Sequence, residues 1–328
     1  WISPAHFVPK DEANGLRFVT DITGLNKWGI RPVHPFPSAT DIIQSIPADA
    51  KFFFTLDAIQ GYHQLPLAPE HQELTTFLLP WGKFCYERGP MGLVSTNDYW
   101  NLHSDRAADF PYVKKIVDDM LGWARTRMEA LDRLRNVLLE CRKLRMTISL
   151  KKLKEGTELK FAGFIVSADG VKPDPNKVQA LKEFPSPKDI TELRSFLGLA
   201  NQFSSFIPDL SQATSNMRTL LKKDVPYVWI PEMEEDFQAA KELLCHELTI
   251  KPFDKDLPTE MLTDASRLKG LGFMLIQREE DGKPRIIQCG SFSLTASQRN
   301  YAVIELECLA MVEAIIKCDF YLRGCPEF

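Results

Sequence analysis

Hydrophobic and polar positions alternate between two textures along the chain, one strand-like and one helical. Residues 1–47 are proline-rich with short apolar runs such as Leu16–Ile22, a pattern of short strands and loops. Lys51–Leu56 is a compact apolar run that predicts a buried strand ending at Asp57, with Gly61 following as a breaker. Residues 75–89 alternate in strand fashion around a Pro80-Trp81-Gly82 turn. Ser95–Ala108 reads as a helix. Tyr112–Val117 and Met120–Ala124 read as a hairpin whose turn is Asp118-Asp119. Leu131, Leu134, Leu138, Cys141 and Leu144 recur at helical spacing and predict an amphipathic helix over Arg127–Leu144. A second hairpin is expected over Leu159–Val171, turning at Ala168-Asp169-Gly170.

Beyond Val171 the texture becomes helical. Asp174-Pro175 supplies an N-cap and a first-turn proline. Pro185-Ser186-Pro187 breaks that helix, and Asp189 with Glu192 forms a capping box for the next. Ile190, Leu193, Phe196, Leu197 and Ala200 give that helix its apolar face. Strands return near Leu257, with turns marked by Gly270, Gly272 and Gly282, before a helix over about Val303–Tyr321. The order is mixed α/β, then helical, then a new α/β start, with boundaries near 172 and 248.

Length and composition narrow this picture. A chain of 328 residues exceeds one ordinary core. With 44% hydrophobic and 26% charged residues, disordered and collagen-like classes are excluded. No run of about 18 apolar residues exists, so no membrane partner is expected. The net charge of −4 is not that of a globally basic nucleic-acid binder. Basic residues do cluster over Cys141–Ile165, where Arg142, Lys143, Arg145, Lys151, Lys152, Lys154 and Lys160 face only Glu155 and Glu158. The seven cysteines have no zinc-site spacing, Cys245-His246 included, and read as reduced thiols. The chain starts at Trp1 rather than Met and stops at Phe328 without a terminal cap, as a piece of a polyprotein would.

Three carboxylates carry the chemistry. An Asp-Asp pair alone is ordinary turn composition. At the ends of apolar strands, however, neighbouring carboxylates repel unless one is protonated or a cation supplies the missing charge. Paired Mg²⁺ ions bridged by such groups serve in-line phosphoryl transfer.

The segment Phe54-Thr55-Leu56-Asp57-Ala58-Ile59-Gln60-Gly61-Tyr62-His63-Gln64, the box Ile116-Val117-Asp118-Asp119 and the stretch Lys172–Asn201 together resemble reverse transcriptases of gypsy-type LTR retrotransposons. The resemblance runs over essentially the whole chain. It implies an α/β (α+β) right-hand polymerase fold, with fingers and palm over 1–172 and a helical thumb over 173–247. An incomplete RNase H-like segment would follow over 248–328. It implies an RNA-directed DNA polymerase with Asp57, Asp118 and Asp119 as catalytic metal ligands, two Mg²⁺ as cofactors and Mn²⁺ as a substitute. Lys10, Arg17 and Tyr62 would bind dNTP, Tyr62 as the wall that excludes a 2′-hydroxyl. Phe161, Gly163 and Phe164 would grip the primer end. Asp264 and Glu307 match the first two RNase H carboxylates. RNase H activity is not expected, because the chain ends before the strand that carries the family's third ligand.

The implied partners are an RNA or DNA template with primer, dNTPs, and flanking protease and integrase domains. The implied location is a cytoplasmic virus-like particle, or the nucleus. Ile116 departs from the family's usual aromatic, Met91 from its usual Phe, and Val94–Asn101 from its common sequence. Two other readings compete: a decayed or domesticated element that binds nucleic acid without catalysis, and an RNA-dependent RNA polymerase.

Overall fold

A computed structural model describes residues 2–9, 15–207, 210–223, 225–244, 249–268, 270–279, 282–295, 297–323, 325 and 327–328. Lys10 and the Cys245-His246 pair lie outside the described residues. The chain divides into two compact units, one of Trp1–Ile42 and Ala50–Ala162, the other of Ile43–Asp49 and Gly163–Phe328.

The first unit opens with the antiparallel hairpin β1 (Ala5–Pro9) and β2 (Leu16–Thr20), then the short helix α1 (Thr23–Asn26). Helix α2 (Ala39–Gln44) begins in this unit, where a strand-and-loop region is expected. Its signal is a reciprocal cap: Ser38 N donates to Asp41 Oδ2 at 2.8 Å and Asp41 N to Ser38 Oγ at 3.2 Å.

Strand β3 (Phe52–Asp57) lies inside a four-stranded antiparallel sheet of order β6-β7-β3-β8, with β6 (Val113–Ile116), β7 (Asp119–Ala124) and β8 (Lys154–Gly156). Between β3 and β6 come α3 (Gly61–Gln64), α4 (Pro69–Gln72), the small hairpin β4 (Phe77–Leu79) and β5 (Gly82–Phe84), and α5 (Val94–Asp105). Helix α6 (Arg127–Lys143) is capped by Thr126, whose hydroxyl accepts from Glu129 N. The helix turns Ala130, Leu134, Val137 and Cys141 inward, while Leu131 of the expected face is 41% exposed. The buried stripe is therefore rotated toward Ala130 and Val137, the residues that reach the core of Phe54, Leu56, Trp100 and Met120. Strand β9 (Glu158–Phe161) ends the unit.

The second unit begins with the hairpin β10 (Phe164–Ser167) and β11 (Gly170–Pro173), turning at Ala168-Asp169. The helices follow: α7 (Pro175–Lys182), α8 (Ile190–Gln202), α9 (Leu210–Ala213), α10 (Ser215–Thr219) and α11 (Pro231–Leu243). Asp174 caps α7, and Asp189 caps α8 by accepting from Thr191 N and Glu192 N. Phe164 packs against Phe203 and Phe206, and Phe196 against Phe184 and Phe237. The unit closes with the antiparallel meander β12 (Thr259–Ser266), β13 (Gly270–Arg278) and β14 (Pro284–Phe292), and with helix α12 (Val303–Leu322). Leu275, Ile287, Ala314 and Cys318 are fully buried in the core these elements share. Gly272, expected at a turn, sits inside β13 opposite Asp264. No helix among the described residues is long and apolar enough to cross a membrane.

Candidate active site: a carboxylate cluster at the end of a buried strand

Strand β3 forms because Phe53, Phe54 and Leu56 are 0%, 1% and 2% exposed, with β7 on one side and β8 on the other. Gly122 on β7 lies opposite Phe54, and a Cβ there would run into the Phe54 ring. That close approach holds the two strands in a register that sets Asp57 directly opposite Asp119. Ala58 N donates to Asp118 O at 3.2 Å and Ser149 N to Asp57 O at 2.8 Å, so the strand end is tied on both sides.

The β6–β7 turn is one residue earlier than the sequence suggests. Ile116 pairs with Asp119, so the two-residue loop is Val117-Asp118 and Asp119 belongs to β7. Asp favours turns, but the register imposed by β3 decides the position. Val117 consequently takes φ +51°, a strained conformation for a β-branched residue. The buried Trp100 indole holds this turn, donating from Nε1 to Val117 O at 3.1 Å. Gly61 is required beneath it: a Cβ there would sit 2.5 Å from Asp118 Oδ1 and 2.7 Å from the Trp100 ring.

The cluster crowds three carboxylates, and the Lys152 ion pair offsets only part of their charge. Asp118 Oδ1 is buried and has no hydrogen-bond partner. Burial and then the Asp57 charge push the Asp118 carboxyl up. Asp119 is exposed as a whole residue, but it lies directly opposite Asp57 in crowded surroundings. Desolvation, then Asp57, push it up to about 6. Lys152 Nζ bonds Asp57 Oδ2 at 2.9 Å, and that bond raises the Lys152 pKa. Lys152 is 66% exposed, so the pair contributes about 0–1 kcal/mol and yields readily to a competing ion.

Among the described residues no three His, Cys, Asp or Glu side chains already converge as a metal cage. The orphaned Asp118 oxygen and the mutual repulsion nevertheless fit a hard divalent cation, which takes oxygen donors and keeps waters of its own. Lys152 is the one neighbour of the cluster that sequence reading had placed only in the basic stretch. It lies 95 positions from Asp57, and no local pattern connects them.

Tyr62 is on α3, the turn that follows Asp57. Its hydroxyl donates to Asn97 Oδ1 at 3.0 Å, and burial and then Asp118 raise its pKa. Gln64 braces the same turn, donating to Ile59 O at 2.6 Å and accepting from Thr147 N at 2.8 Å. Arg17 is exposed on β2. Phe161 and Phe164 are 4% and 1% exposed, so the groups left to touch a ligand there are those of the turn backbone, Ala162 at φ +49° and Gly163 at φ +87°. Asp264 is exposed on β12 and Glu307 half-buried on α12.

Residues 229–328 match the family model described as an RNase H-like domain found in reverse transcriptase. The chain is 33% identical to the retrovirus-related Pol polyprotein from transposon gypsy of Drosophila melanogaster, over 95% of this chain and 31% of that one. It is 30% identical to the corresponding polyprotein from transposon opus of the same organism, over 99% and 33%. It is 28% identical to the transposon Tf2-3 polyprotein of Schizosaccharomyces pombe, over 99% and 24%. The chain thus spans a quarter to a third of the curated relatives it matches.

Solved structures share the mixed α/β fold. The foamy viral protease-reverse transcriptase dRH in complex with ds DNA aligns with TM-score 0.84 at 22% identity, over 98% of this chain and 57% of that one. The foamy viral protease-reverse transcriptase in complex with RNA/DNA hybrid aligns with TM-score 0.80 at 22% identity, over 98% and 44%. Along nearly its whole length the chain has the gypsy, opus and Tf2 retrotransposon Pol polyproteins as homologues, and its C-terminal residues match an RNase H-like domain found in reverse transcriptase.

Proposed function

We propose that this chain is an RNA-directed DNA polymerase, extending a primer on an RNA or DNA template with dNTPs. One observation carries the reading: Asp57 and Asp119 face each other across two strands, with the buried, unpartnered Asp118 Oδ1 beside them. Asp57, Asp118 and Asp119 would hold Mg²⁺, with Mn²⁺ as a substitute. Two bound ions would lower the pKa of the primer 3′-hydroxyl and neutralise charge on the triphosphate.

The remaining roles belong to side chains. Tyr62, braced by Asn97, presents a rigid wall against a 2′-hydroxyl. Lys10 and Arg17 neutralise the triphosphate. Arg142, Arg145, Lys151, Lys154 and Lys160 are exposed and follow the template–primer backbone. The turn of Phe161, Gly163 and Phe164 supports the primer end through its backbone. In this reading residues 1–172 act as fingers and palm, 173–247 as thumb, and 248–328 as an RNase H-like segment carrying Asp264 and Glu307. Protease and integrase domains would flank the segment in its polyprotein, and the work would be done in a cytoplasmic virus-like particle or the nucleus.

A second reading, nucleic-acid binding without catalysis, draws on Lys152, which already supplies a cation to Asp57. Primer extension on poly(rA)/oligo(dT) with Mg²⁺ separates the two. Incorporation of dTTP that vanishes in Asp118→Asn supports the polymerase. Tight binding of the duplex with no incorporation by the unaltered chain overturns it.

A further inference from the structure

The second unit contains a cavity of about 480 Å³, within the range of small-ligand sites, and it has no part in the carboxylate chemistry above. Helix α10 and the short helical turn Ser204–Phe206 line one part of it; the end of β14 and α12 line the rest. Two cations reach it, Arg218 and Lys317, together with the hydroxyls of Ser204, Ser205 and Ser291. None of the described residues lining it is acidic.

Arg218 is the informative member. Its guanidinium is partly withdrawn from water, and burial lowers its pKa. A guanidinium nonetheless stays charged, so its desolvation must be offset by a partner. Among the described residues its bond is from Nε to the neutral Thr214 Oγ1 at 3.1 Å, and it has no carboxylate within ion-pair distance. Arg218 is half-buried, and among the described residues the rest of its fork has no anionic partner. A cavity with two cations, several serine hydroxyls and, among the described residues, no anion has the chemistry of a phosphate site. The guanidinium fork fits phosphoryl oxygens in a bidentate manner, lysine adds a point charge, and serines donate to the remaining oxygens.

We propose that this cavity binds a phosphoryl group, with Arg218 as its principal ligand and Lys317 as the second. The group belongs either to a free nucleotide or to a nucleic-acid backbone. Because the polymerase assignment is not used in this argument, the site stands or falls separately.

Thermal unfolding of the full chain in EDTA, at fixed ionic strength, tests it. Inorganic phosphate at tens of millimolar should raise Tm by about 1–3 °C over chloride, as a ligand of the folded state does. Arg218→Met should remove that increment while leaving the phosphate-free Tm unchanged or higher, since an unmatched charge has gone. Lys317→Gln, at an exposed position, should halve the increment without touching the baseline. A nucleoside monophosphate that reproduces the increment identifies the free ligand. A duplex whose affinity drops at least threefold in both variants identifies the backbone. An increment that persists in Arg218→Met, together with a lowered baseline, makes Arg218 a structural partner of Thr214 and overturns the proposal. No increment with phosphate, nucleotide or duplex does the same.

Discussion

Two regions of this chain carry the carboxylates that the family resemblance suggests as metal ligands, and they differ in how the protein holds them. Asp57, Asp118 and Asp119 are forced together by sheet register, a strained turn and a glycine with no room for a methyl group. Asp264 is exposed on β12, opposite a glycine where a Cβ would meet nothing within 4 Å. Glu307 is half-buried on a helix. Crowding like charges costs folding free energy, and a fold that keeps them crowded, with one oxygen orphaned, has the chemistry to accept a cation. The second region shows no such cost. The resemblance treats the two sets alike; the way the fold holds them separates them.

Activity should break the comparison most visibly. Asp118→Asn is expected to reduce Mg²⁺-dependent primer extension by on the order of 10³-fold or more, the scale of losing a metal ligand in a two-ion site. Asp264→Asn should leave the extension rate within about twofold. Equal losses in steady-state dTTP incorporation would erase the distinction.

Backbone room should show it next. Gly61→Ala places a methyl against Asp118 and Trp100 and should destabilise the chain by about 1–3 kcal/mol in urea melts. Gly272→Ala, in open space within a strand, should stabilise by about 0.4–1 kcal/mol. A tolerated Gly61→Ala would mean that the Asp118 turn is loosely held.

The smallest effect is in pH dependence. With its folded pKa raised to about 6 against an ordinary 3.8, Asp119 binds more protons in the folded state than in the unfolded. Its contribution to stability is therefore full below about pH 4 and is lost as pH rises through 6. Asp119→Asn should flatten that fall in metal-free buffer and stabilise the chain at pH 7.5 by about 1 kcal/mol or less, the value being discounted for solvent exposure. Adding Mg²⁺ should restore stability to the unaltered chain at pH 7.5. Asp264→Asn should leave the slope between pH 4 and 6 intact.

Much of this architecture is legible in the sequence because local rules and tertiary packing agree. The apolar run before Asp57 is a buried strand, Asp174 and Asp189 cap the helices they announce, and Leu193, Phe196, Leu197 and Ala200 are buried together. Where they disagree, packing wins. Asp chemistry put the turn at Asp118-Asp119, but pairing with β3 moved it onto Val117 at the expense of backbone strain. The leucine stripe of α6 pointed to Leu131, but the core is reached by Ala130 and Val137. Gly272 looked like punctuation and is a strand residue. The helix after Ser38 could have been read from its reciprocal cap with Asp41. Lys152 and Trp100 could not be read as partners of the cluster, because only the folded sheet brings them to it.

Water-proton relaxation during Mn²⁺ titration of the chain bound to primer–template, at pH 7.5, reports most directly on whether this cluster is a cation site. The account predicts enhanced relaxation for the unaltered chain and for Asp264→Asn, and loss of the enhancement in Asp118→Asn. Enhancement that survives Asp118→Asn, or that disappears in Asp264→Asn, would contradict it.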